Sequence, residues 1–70
     1  KWKQKELEQI LSMLPERMRT ILYLREIQGF TYKELEIMMN LTESQVKVTL
    51  HRARSKFRQL QAERKEEGAD

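Results

Sequence analysis

The fold of this chain is decided by residues 31–60, TYKELEIMMNLTESQVKVTLHRARSKFRQL. Within this stretch Thr31 is followed three residues later by Glu34, and Thr42 is followed three residues later by Gln45. Each pair has the pattern of a capping box, in which the two side chains satisfy free backbone N–H groups at the start of a helix. The stretch therefore predicts two consecutive helices.

The two helices are expected over about residues 32–39 and 43–65. Asn40 stands between them, and asparagine tolerates the left-handed conformation that a sharp turn requires. The core contacts expected of the shorter helix are Leu35, Met38 and Met39. The apolar positions of the longer helix recur at steps of four and three, which places them on one face: Val46, Leu50, Ala53, Phe57 and Leu60.

Two further helices are predicted upstream, over about residues 2–13 and 15–28. Pro15 separates them, because proline suits the first turn of a helix and disfavours helical geometry in the residue before it. Gly29 ends the second helix, since glycine adopts the left-handed conformation without a steric penalty. The first helix carries one apolar stripe: Leu7, Ile10, Leu11 and Leu14.

Composition limits the possible functions. The 70 residues carry a net charge of +3, include no cysteine and have one histidine. No apolar run approaches the roughly 20 residues needed to span a bilayer, and disulfides and cysteine-based zinc sites or nucleophiles are excluded. We expect no cofactor, no metal and no enzymatic activity. With no initiator Met and no signal peptide, the chain is expected to be one domain of a longer cytoplasmic protein.

The sequence thus predicts a small all-α, four-helix domain over residues 1–65, with residues 66–70 as a frayed tail. It contains a helix-turn-helix whose second helix is long. Between Ser44 and Leu60 there are five Lys and Arg residues and no acidic residue. A solvated helix face would explain this charge, and so would an anionic partner.

DNA is the expected partner, because the N-terminal part of such a helix fits the major groove and reaches base edges. Residues spaced by one, three and one on the outward face are the predicted base contacts: Lys47, Val48, His51 and Arg52. Predicted contacts to the DNA backbone come from helix N-termini and from the later part of the long helix: Thr31, Tyr32, Lys33, Ser44, Arg54, Ser55 and Arg58. The alternatives are plain capping by Thr31 and Thr42, simple exposure to solvent for Tyr32 and Lys33, and pairing of Arg52 with Glu43 or with an acidic residue of the tail.

A second surface is predicted on the first two helices, which carry more apolar residues than a small core can bury. Its expected docking residues are Leu7, Ile10, Tyr23, Leu24 and Ile27, with Trp2 beside them. The alternative is that these side chains fill the core.

An ordered series of motifs resembles region 4 of bacterial sigma factors, most closely the extracytoplasmic-function class. The motifs are Leu14-Pro15-Glu16-Arg17, Leu24-Arg25-Glu26, Gly29-Phe30-Thr31-Tyr32-Lys33-Glu34-Leu35, Val46-Lys47 and His51-Arg52-Ala53-Arg54. The resemblance implies recognition of the −35 promoter element, docking on the β-subunit flap of RNA polymerase and competition by an anti-sigma factor.

The resemblance also places Lys47, Val48, His51 and Arg52 on the base-reading face of the family, and Arg54 among its phosphate contacts. Two residues depart from the family pattern. Glu36 stands where alanine is usual, which affects how closely the two helices approach, and Asn40 stands where the turn usually has glycine.

Two other functions are open from the sequence. A response-regulator DNA-binding domain shares the capped helix pair but acts as a dimer. In this sequence no apolar stripe that could form a dimer follows Leu60, so a monomer is expected. A protein-binding helical module would leave the basic helix solvated. Sedimentation separates the first of these from the sigma-like domain, and a DNA titration separates the second.

Overall fold

The computed structural model describes residues 4–67, and side chains over residues 5–64. In chain order its helices are α1 (Gln4–Ser12), α2 (Glu16–Leu22), a π-helical segment (Tyr23–Ile27), α3 (Tyr32–Met39) and α4 (Glu43–Glu67). No strand occurs within residues 4–67. The predicted all-α fold with a helix-turn-helix is confirmed.

The helix bounds differ from the expected ones mainly at the ends of the chain. The expected start of the first helix at Trp2 lies outside the described residues. At the other end α4 continues through Glu67 and so includes residues 66 and 67 of the predicted tail. Residues 68–70 of the predicted tail also lie outside the described part, and the predicted domain limit at residue 65 stays a prediction.

One apolar core joins all four helices, with α4 packed against α1, α2 and α3. The predicted stripes of α1 and α4 are both buried in full, as their helical spacing requires. The buried core residues are Leu7, Ile10, Leu11, Leu14, Ile21, Leu22, Leu35, Leu41, Val46, Leu50, Ala53, Phe57 and Leu60.

The prediction for α3 was correct for Leu35, which is fully buried, and for Met39, which packs against the core. It was wrong for Met38, whose surface is 49% exposed. Leu35 and Met39 are four residues apart and share one face of the helix. Because α3 has only 8 residues, it presents one narrow stripe to the core, and Met38 lies outside that stripe.

Both capping boxes form. Thr31 N donates to Glu34 Oε1 at 2.8 Å, and Glu34 N donates to Thr31 Oγ1 at 3.2 Å. At α4, Thr42 N donates to the Gln45 side chain at 2.9 Å, and the reciprocal bond is 3.2 Å long. These bonds fix where α3 and α4 begin.

The turn between α3 and α4 depends on Asn40, which has φ 55° and ψ 52° in the left-handed region, as predicted. Leu41 follows it and is buried, so the turn is anchored in the core. The backbone N–H of Leu41 donates to the carbonyl of Glu36 at 2.9 Å. Glu36, the departure from the family pattern, is half-buried and does not prevent α3 from packing on α4.

The π-helical segment was not expected, because the sequence predicted one regular helix over residues 15–28. Gln28 N donates to the Tyr23 carbonyl at 3.2 Å, five residues back instead of four. Gly29 follows with φ 79°, a conformation suited to glycine, which confirms the predicted helix end. Tyr23 and Ile27, at the two ends of this segment, lie at the surface and are each 44% exposed.

Candidate nucleic-acid interface

The outward face of α4 carries the predicted base contacts. The helix is continuous from Glu43 to Glu67, and Lys47, Val48, His51 and Arg52 are all exposed. We call these four residues the reading face. Their spacing places them over the first turns of α4, opposite the buried stripe, so they are free to meet a ligand.

An acidic neighbour accompanies the reading face. Glu43, one turn before Lys47, lies 3.4 Å from its Nζ, and both side chains are more than half exposed. Glu43 therefore pairs with Lys47 and not with Arg52, the alternative considered from the sequence. Exposed pairs of this type contribute less than about 1 kcal/mol, so a phosphate or a base can displace Glu43.

The predicted backbone contacts at helix N-termini are in different environments. Thr31 is exposed; its oxygen accepts the capping bond, and its O–H can still donate to a phosphate. Lys33 and Ser44 are exposed. Tyr32 is half-buried, and the guanidinium carbon of Arg25 lies 5.2 Å from the centre of its ring, which holds the phenol side chain in place.

The later contacts on α4 are partly engaged within the protein. Arg58 is exposed, and its Nη2 donates to Ser55 Oγ at 3.4 Å. Arg54 donates from Nε and Nη2 to Oε2 of Glu26, at 3.1 and 2.7 Å. These hydrogen bonds raise the pKa of Arg54 above its ordinary value, and partial burial offsets part of that rise. Arg54 therefore stays cationic, but a carboxylate already occupies it.

A groove of about 760 Å³ opens between α1, α2 and the π-helical segment. We call it the α1–α2 groove. Its lining residues are Leu7, Glu8, Leu11, Ser12, Arg19, Thr20, Tyr23, Leu24, Glu26 and Ile27.

The predicted docking residues divide at this groove. Tyr23 and Ile27 are each 44% exposed, Leu24 is half-buried, and all three line it. Leu7 also lines it, although it is 7% exposed and belongs to the core. Ile10 is 0% exposed, so the prediction that it takes part in docking was wrong: α1 turns this side chain into the centre of the core. Trp2 lies outside the described residues.

Comparison with known families decides what this arrangement is. The family model described as "Sigma-70, region 4" matches residues 4–57, more than half of the chain. The chain belongs to the sigma-70 region 4 family. A region 4 domain recognises the −35 element of promoter DNA as part of a sigma factor, and it acts with RNA polymerase.

Sigma region 4 is a DNA-binding domain. The resemblance drawn from the sequence motifs is confirmed at the level of the family. The match covers α1, α2, α3 and α4 up to Phe57, so it contains the reading face and the α1–α2 groove. Neither the response-regulator reading nor the protein-binding module is favoured by any finding.

Sequence reasoning missed two features of this region 4 domain. Glu26 and Arg54 are 28 residues apart in the chain, and no periodic pattern links them. The contributions of Leu11, Arg19 and Thr20 to the groove were also missed. The mixed apolar and polar surface of α2 was the available signal, but the groove exists only where residues of α1, α2 and the π-helical segment come together in the fold.

Over the side chains that the structure describes, no group of three or more acidic or histidine residues could hold a metal ion. Among the helices within residues 4–67, none combines the length and the apolar character needed to cross a lipid bilayer.

Proposed function

We propose that this region 4 domain reads the −35 element by placing the N-terminal half of α4 in the major groove. One observation carries the proposal: α4 is unbroken, and the reading face points outward on a stretch that has no acidic residue between Ser44 and Leu60. A helix about 10–12 Å wide fits a major groove about 12 Å wide.

The side chains of the reading face suit different base edges. Lys47 and Arg52 can donate to the O6 and N7 acceptors of guanine, and Arg52 can do so through two parallel bonds. Val48 is 46% exposed and offers an apolar contact to a thymine methyl group. His51 can donate to an acceptor from one ring nitrogen. The domain should therefore distinguish several base pairs.

The DNA backbone would be held on both sides of the reading face. Lys33, Ser44 and the O–H of Thr31 lie at helix N-termini, where free N–H groups and the helix dipole favour phosphate. Tyr32 offers a phenol beside them. Arg58, with Ser55, lies two to three turns further along α4 than Lys47 and would meet the phosphates where the helix leaves the groove. Arg54 is the remaining backbone candidate.

A salt titration of duplex binding tests the DNA proposal. With about six phosphates contacted, the logarithm of the association constant should fall against the logarithm of salt concentration with a slope near −5. Random duplex should bind with a dissociation constant of about 10⁻⁴ to 10⁻⁶ M at physiological salt. Fluorescence anisotropy measures both. A duplex affinity that does not change with salt concentration, or no binding to any duplex at low salt, would contradict the proposal and favour a protein-binding module.

For the α1–α2 groove we propose a protein partner: the flap of the polymerase β subunit, with an anti-sigma factor as its competitor. The apolar side chains of Tyr23, Leu24 and Ile27 support this, because an exposed apolar groove suits one face of an amphipathic helix. Tethering to polymerase would raise the effective concentration at the promoter, which a weak single module requires.

Ile27→Asp tests the docking proposal. A carboxylate at the groove edge should lower affinity for core RNA polymerase at least tenfold, because it removes apolar contact and must lose water on binding. Duplex binding should change by less than twofold. Ile37→Asp is the matched control, since Ile37 is 82% exposed on α3 and does not line the groove. Equal losses in both variants, measured by polymerase pull-down or biolayer interferometry, would contradict the assignment.

The sequence motifs also support assignment to the extracytoplasmic-function class of sigma factors. A cytoplasmic location follows from the proposed interaction with RNA polymerase and promoter DNA. An isolated monomer is the associated expectation. Sedimentation of the domain checks it, and a stable dimer would favour the response-regulator reading.

A further inference from the structure

Glu26 and Arg54 connect the two surfaces of this domain. Glu26 belongs to the π-helical segment and lines the α1–α2 groove, while Arg54 belongs to α4. A single carboxylate oxygen, Oε2 of Glu26, accepts hydrogen bonds from both Nε and Nη2 of Arg54. The side chains keep 28% and 37% of their surface exposed, respectively, so solvent and ligands can reach the pair.

The position of Arg54 on α4 makes this pairing relevant to DNA. Lys47, His51, Arg54 and Arg58 recur at steps of four, three and four, which is one side of a helix. Arg54 thus continues the basic side of α4 that begins in the reading face. Its guanidinium has five N–H donors, of which Glu26 takes two.

The charges decide what an approaching phosphate encounters. Lys47 and Arg58 carry net positive charge toward the duplex, with only the well-exposed Glu43 beside Lys47. The Arg54–Glu26 pair carries no net charge, and the Glu26 carboxylate repels phosphate. A neutral pair releases no condensed counterion from DNA, whereas a free arginine that contacts phosphate releases about 0.9 of one.

We propose that Glu26 withholds Arg54 from the DNA backbone and thereby limits the affinity of the domain for DNA of any sequence. This inference rests on the proposed DNA-binding function. Glu26 acts through Arg54, so it is a positioning residue and does not itself contact DNA. The weak affinity expected of the free domain is in part a consequence of this pair.

Glu26→Gln tests the proposal, since glutamine keeps the size of the side chain and removes its charge. Random-duplex affinity should rise about fivefold at 0.15 M salt, and the salt slope should become more negative by about 0.9. The melting temperature should fall or stay unchanged, because an interhelical ion pair has been weakened. A purely structural role would instead lower stability and DNA affinity together.

Two controls isolate the contact from a general charge effect. Glu16→Gln removes one exposed negative charge at the start of α2 and should leave the salt slope nearly unchanged. In an Arg54→Ala background, Glu26→Gln should no longer raise affinity more than about twofold. An increase that persists without Arg54, or a loss of affinity in Glu26→Gln alone, overturns the inference.

The outcome is distinguishable from failure of the DNA proposal. If the wild-type domain shows no salt-dependent duplex binding, the proposed function fails and the inference fails with it. If the wild type binds with a slope near −5 and Glu26→Gln binds no better, only the inference is overturned.

Discussion

Phe57→Ala is expected to remove most of the stability of this domain. Phe57 is 2% exposed and is among the largest side chains in the core, on the buried stripe of α4. Truncating a buried phenylalanine to alanine costs about 3–5 kcal/mol, from lost burial and from the cavity left behind. A domain of 70 residues has a total unfolding free energy of roughly 4–10 kcal/mol.

Urea denaturation followed by circular dichroism at 222 nm measures this loss. The matched control is Ile37→Ala, which truncates a side chain that is 82% exposed and should change stability by less than about 0.5 kcal/mol. A cost below about 1 kcal/mol for Phe57→Ala would mean that α4 does not depend on this core contact. The packing of α4 on α1 and α2 would then need revision.

Arg52→Ala is expected to weaken binding to the preferred promoter site by about 1–3 kcal/mol and to relax the preference at one base position. Arg52 is exposed on the reading face, so the substitution should leave folding unchanged. The physical reason is that Arg52 can donate two parallel hydrogen bonds to the edge of the preferred base, and another base accepts them less well. Alanine removes both hydrogen bonds.

Arg58→Ala is the matched control for this prediction. It removes the same charge from α4 but at a position where the helix should be leaving the groove, so it should weaken preferred and random duplexes about equally. Anisotropy titrations of both variants on a selected site and on a scrambled duplex make the comparison. If both variants lose the same affinity on both duplexes, the division of α4 into base-reading and backbone-holding residues is incorrect.

Features that depend on neighbouring residues in the chain were predictable. The capping boxes at Thr31 and Thr42 join residues three apart, and Asn40 adopts the left-handed turn through its own conformational preference. The buried stripe of α4 follows from helical spacing alone. Local hydrogen bonding and a 3.6-residue period are sufficient for these features. The reading face follows in the same way, because it is the side of α4 opposite the buried stripe.

Features that depend on packing were not predictable in the same way. Leu7, Ile10, Tyr23 and Ile27 have similar apolar character, yet two are buried and two are exposed. Tyr23 and Ile27 also lie in a π-helical segment, which no residue type requires. Met38 was placed in the core because its type allowed it, although α3 has room for only one stripe.

The sequence by itself determined the four helices, their capped starts, the turn at Asn40 and the acid-free basic helix, because each is encoded by residues within a few positions of one another. Only the tertiary structure decided which apolar side chains line the α1–α2 groove and that Glu26 engages Arg54. Those contacts join segments far apart in the chain, and they exist only after the core has fixed how α1, the π-helical segment and α4 lie against one another.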